Sequence, residues 1–133
     1  MKTATIKRMK RLIELTEYVY QERAREVVES RDHQALVAET LEATRGQFGS
    51  YSLVEAAFPE LLARRAARLG RELGEADHVL EQRIEVAAAS RANVKGLEGK
   101  LQRMVTQDEQ QRSSVAIEDA IDSFLRKRGT RLR

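Results

Sequence analysis

With 34% charged and only 5% aromatic residues, a chain of 133 residues lacks the large apolar side chains of an ordinary compact globule. Hydrophobic residues nevertheless make up 41%, and their regular spacing excludes a solvated, disordered tail. There is no cysteine, hence no disulfide framework or thiolate metal site, and no apolar run approaches the ~20 residues that cross a bilayer.

The net charge of +3 hides an uneven distribution. Residues 1–11 hold Lys2, Lys7, Arg8, Lys10 and Arg11 with no acid, and residues 126–133 hold Arg126, Lys127, Arg128, Arg131 and Arg133, again with none. The stretch between them carries 14 basic against 21 acidic residues. The basic amino terminus is not followed by an apolar segment, so no secretory signal is expected and the predicted location is cytoplasmic.

The first element is a long helix predicted over residues 3–46. Every seventh residue from Ile6 reads Ile6, Ile13, Tyr20, Val27, Gln34, Leu41, Phe48, and six of the seven are apolar. A seven-residue repeat sustained this far marks a helix with a seam facing a partner helix. The companion series is weaker: Met9, Thr16, Arg23, Ser30, Val37, Thr44. Ala24 and Ala38 widen the stripe.

Residues 47–58 form the predicted tip. The surrounding stretch, GQFGSYSLVEAAFPE, gathers Phe48, Tyr51 and Phe58 together with the only proline, Pro59. Gly46 and Gly49 suit a helix end, and Ser52-Leu53-Val54-Glu55 matches a capping box. Pro59 suits the first turn of a second helix, where its missing N–H costs nothing. The three rings either plug the end of the pair or form a docking patch, since exposed aromatics are favoured partner anchors.

A second helix is predicted over residues 59–127, ending in a basic tail at 128–133. Its seam reads Ala66, Leu73, Leu80, Ala87, Val94, Leu101, Asp108, Val115 in one series. The other reads Leu62, Leu69, Ala76, Arg83, Ser90, Leu97, Met104, Gln111. After Val115 the phase changes to a stripe of Ile117, Ile121, Phe124 and Leu125. Gly70, Gly74, Gly96 and Gly99 keep the seam in phase, which suggests close helix approach or local softness, with a kink expected at residues 93–99. Two apolar-faced helices with a short connector fold back on each other. The expected fold is therefore all-α: one antiparallel coiled-coil hairpin with a carboxy-terminal helical extension. A turn near residue 53 puts residue 6 opposite about residue 100.

Chemical motifs are missing. His33 and His78 stand apart without HExxH spacing, and no phosphate-binding glycine loop follows a strand. Carboxylates abound, but a helix pair offers no dry pocket to tune them. No enzyme activity, metal or cofactor is expected. The basic ends leave nucleic acid open as a ligand, although no reader residue accompanies them and the acidic body repels phosphate. Acidic lipid or an acidic protein patch is equally open.

Lys10-Arg11-Leu12 with Leu15 near the start, the mid-chain break, and Glu118-Asp119-Ala120-Ile121-Asp122 ahead of a basic end resemble the FliJ family of flagellar export proteins and its YscO-like injectisome counterparts. The resemblance spans nearly the whole chain, though the family's usual tryptophans are missing. It implies a stalk-like antiparallel coiled coil that enters an export ATPase ring, contacts the export gate, which can bring it to a membrane, and escorts chaperones. By that resemblance Leu41, Phe48, Phe58 and Leu62, with Tyr51 beside them, mark the gate-binding tip. Lys7, Arg8, Lys10, Arg11, Ile117, Ile121, Phe124, Arg126, Lys127 and Arg128 mark the ring-facing end. A self-pairing adaptor coiled coil and a nucleic-acid binder are the competing readings.

Overall fold

The computed structural model describes residues 2–48 and 56–131. It contains two long helices, α1 (Lys2–Arg45) and α2 (Pro59–Arg131), packed against each other in antiparallel fashion. Among the described residues there is no strand. The fold is the all-α hairpin that the two heptad series require. Tyr51, Gly49 and the capping-box residues Ser52 to Glu55 lie outside the described residues.

The helices form two compact units, a central one of Glu17–Ala92 and a terminal one of Met1–Thr16 with Asn93–Arg133. In the central unit the seam positions withdrawn from solvent on α1 are Tyr20, Arg23, Val27, Ser30, Gln34, Val37, Leu41 and Thr44, spaced alternately by three and four, with Glu17, Glu22, Ala24, Glu26, Ala38 and Thr40 half-buried beside them. On α2 they are Leu62, Ala66, Leu69, Leu73, Ala76, Leu80, Arg83, Ala87 and Ser90, in the same rhythm. This alternation is the a/d seam of a coiled coil, and within each helix the predicted heptad positions are the observed ones.

The seam is apolar near the tip, where Val37, Leu41, Leu62 and Leu69 are buried. Thr44, also buried, donates its hydroxyl to the Thr40 carbonyl at 2.8 Å, so its polar atom needs no partner across the seam. Further along, the layers become small and polar. Arg83 reaches across to donate to Ser30 Oγ at 2.6 Å and to the Glu26 carbonyl at 3.3 Å. The Gln34 side-chain amide donates to the Asp77 carboxylate. No buried side-chain nitrogen or oxygen among the described residues lacks a partner. Such satisfied polar layers contribute less stability than leucine but favour one register, because slipping the helices would strand each group.

In the terminal unit the seam continues as Ile6, Met9, Ile13 and Thr16 on α1, and as Val94, Leu97, Leu101, Met104 and Asp108 on α2. Thr5 and Ile6 share a cleft with Met104, Gln107 and Asp108. Ile6 therefore sits beside residue 104 rather than residue 100. The seam ends at Asp108. Gln111 and Val115, expected to extend it, are exposed, as is every residue from Glu109 to Gly129.

Three local expectations change. A Cβ built at Gly70, Gly74, Gly96 or Gly99 meets nothing within 4 Å, so none marks a close helix approach. α2 continues to Arg131, so the predicted basic tail is helical to that point. At the end of α1, Gly46 does not adopt the left-handed conformation of a glycine cap. The helix tightens instead, with Gln47 and Phe48 donating to the Thr44 and Arg45 carbonyls at 3.2 and 3.0 Å.

Candidate functional site

The expected tip surface divides. Leu41 and Leu62 are 2% and 3% exposed and belong to the seam, so a partner reaches them only by separating the helices. Phe48 and Phe58 are 40% and 56% exposed and stand free to make contacts. Tyr51 lies outside the described residues. Beyond Phe58, the first turns of α2 add exposed Leu61 and then Arg64, Arg65, Arg68 and Arg71, which with Ala67 line one shallow groove. The averaged acidity of the central stretch conceals this arginine face; the run ARRAARLGR carries it in plain view. Of these four arginines only Arg68 has an ion pair with a described residue, Glu72 at 3.9 Å.

The terminal residues also divide. Lys7, Arg8, Lys10 and Arg11 are exposed on the two-helix part of the terminal unit. Ile117, Ile121, Phe124, Arg126, Lys127 and Arg128 are exposed on the stretch of α2 beyond the seam. Ile6 is level with Met104, and Phe124 lies 20 residues further, or about 30 Å along a helix. The two basic groups are therefore separate along α2, as a carboxy-terminal helical extension entails. The stripe of Ile117, Ile121, Phe124 and Leu125 follows helical spacing and is unburied along its whole length.

Lysines and arginines of both helices meet in the terminal unit. Lys95, Lys100 and Arg103 of α2 join Lys7, Arg8, Lys10 and Arg11 of α1, with Glu14 and Glu98 the exposed acids in residues 2–16 and 93–107. Leu12 and Leu15 are exposed beside them. Reading either helix alone does not reveal this clustering, because its two groups of cations stand at opposite ends of the hairpin's sequence, residues 7–11 and 95–103.

For metal or acid–base chemistry there is little material. Among the described residues no group of three or more His, Cys, Asp or Glu side chains is placed to hold a metal ion. His33 lines an open groove with Glu29, Ser30, Glu72, Glu75, Ala76, Val79 and Arg83. No helix among the described residues is long and apolar enough to cross a membrane. Comparison with known protein families, curated proteins and solved structures finds no match to this chain.

Proposed function

We propose that the protein is a non-enzymatic coiled-coil hairpin that docks protein partners through its tip and its carboxy-terminal helix. The supporting observation is the stretch from Glu109 to Gly129, a helix with no cover on any face and with Ile117, Ile121, Phe124 and Leu125 in solvent. An apolar stripe left open on a helix is the material of helix-in-groove recognition. Exposed Phe48 and Phe58 offer a second anchor point.

In its finer form the proposal is a stalk of a bacterial flagellar or type III export apparatus. The extension then enters the export ATPase ring and the tip contacts the export gate or chaperones. This follows from the family resemblance, and the length of uncovered helix is compatible with it.

Binding of the purified chain to an export ATPase and to the cytoplasmic part of an export gate tests both levels. Ile121→Ala and Phe124→Ala should weaken ATPase binding about 30-fold, the effect of truncating a hot-spot side chain, with unchanged melting. Phe48→Ala and Phe58→Ala should do the same for the gate. No binding to either protein contradicts the export role. Tight self-association that Phe124→Ala abolishes favours the self-pairing adaptor instead.

A further inference from the structure

The terminal unit has one broad side without an acid, and we propose that this side is a contact surface for an anionic lipid bilayer. The inference concerns direct contact with lipid and does not depend on the export reading.

The side follows from the register. In an antiparallel helix pair, the positions just before equivalent seam residues lie on the same side of both helices. Thr5 precedes Ile6 and Gln107 precedes Asp108, and Thr5 and Gln107 do line one cleft. Leu12 precedes Ile13 and Lys100 precedes Leu101, which places them on that same side. The outward positions next to these are Arg8, Arg11 and Leu15 on α1, and Arg103 on α2, all exposed. Glu14 and Glu98 fall on the opposite side by the same spacing. None of Arg8, Arg11, Lys100 and Arg103 has an ion pair with a described residue.

Four cations and no acid attract an anionic surface, and the leucines decide which kind. Leu12 and Leu15 are 46% and 65% exposed between the cations. A phosphodiester backbone has no use for them, and no aromatic side chain stands by to stack on a base. At a bilayer the same leucines enter the boundary between headgroups and acyl chains while the cations stay with the phosphates. Gly96, exposed on this side of α2, carries no side chain that would hold the leucines off a flat surface.

Co-sedimentation of the full chain with phosphatidylserine–phosphatidylcholine vesicles, beside pure phosphatidylcholine, tests the proposal. Binding is expected to the anionic vesicles alone and to fall with added salt. The double variant Arg8→Gln, Arg103→Gln should lower partitioning roughly 25-fold, at about fivefold per cation. Arg64→Gln with Arg68→Gln removes the same charge elsewhere and should change it less than twofold. Leu12→Ser with Leu15→Ser should also release the chain, and a circular dichroism melt verifies that each variant stays folded. Absence of anionic-vesicle binding overturns the proposal. So do equal losses from the two arginine pairs, no loss from the leucine pair, or a duplex DNA that competes the chain off the vesicles at equal phosphate.

Discussion

Two consecutive stretches of α2, both in the terminal unit, differ sharply in what they cover. Residues 93–108 contribute Val94, Leu97, Leu101 and Met104 to a seam shared with Ile6, Met9 and Ile13. Residues 109–129 contain at least as much apolar bulk in Val115, Ile117, Ile121, Phe124 and Leu125, and all of it faces solvent. Hydrophobic content does not separate the two; periodicity and partner do. The first stretch keeps the three-four rhythm that α1 matches. In the second the apolar stripe rotates: Ile117, Ile121 and Phe124 lie off the old seam, and only Val115 and Leu125 keep its phase.

The largest expected effect comes from placing a charge on each stretch. Ile13→Asp buries an unpaired carboxylate in the seam and should destabilise the fold by about 3 kcal/mol or more. Ile121→Asp, on an exposed position, should shift the melting midpoint negligibly. Comparable losses from both would show that the second stretch is covered after all.

A smaller effect sharpens the role of the polar layers. Ser30→Ala removes the acceptor that Arg83 meets at 2.6 Å, and should cost about 1 kcal/mol. In a double-mutant cycle the Ser30→Ala and Arg83→Ala costs should be non-additive, while Ser30→Ala and Ile121→Ala should simply add. Additivity of the first pair would remove the cross-helix contact from the account.

Glycine substitutions should act in the opposite direction. Gly96→Ala and Gly99→Ala introduce methyl groups with nothing within 4 Å, so each should stabilise by up to about 1 kcal/mol, seen as a higher chemical-denaturation midpoint. Destabilisation would mean that these positions approach another helix.

The smallest effect belongs to the surface ion pairs. Arg112 lies 3.2 Å from Asp108 with its own side chain 71% exposed, and Arg112→Ala should cost at most about 0.5 kcal/mol, less at high salt.

Much of this fold was legible in the residues, because a heptad repeat needs only its own spacing to be recognised. Arg83 and Ser30 stood in the repeat as apparent defects, and the structure turns them into partners 53 residues apart. What the spacing could not supply was the offset between the helices. An offset error of four residues leaves each helix's own face unchanged but alters every cross-helix neighbour. That is why the acid-free side formed by Arg8, Leu12, Lys100 and Arg103 escaped notice, whereas Leu41 and Leu62, assigned to a docking surface by the family resemblance, stand buried in the seam that their own heptads mark. The glycines misled for a related reason: unbroken phase suggested close helix approach, whereas a methyl group at any of them would meet nothing within 4 Å.

Hydrogen exchange resolved by residue tests the central contrast most directly. An isolated helix of roughly 20 residues is only marginally stable in water, whereas a paired one borrows protection from its seam. The amides of residues 94–108 should exchange at least about 100-fold more slowly than those of 112–128, the separation expected when some 3 kcal/mol of packing covers one and not the other. Equal protection along both stretches would contradict the account, because it would mean that the end of α2 is covered as well as its paired neighbour.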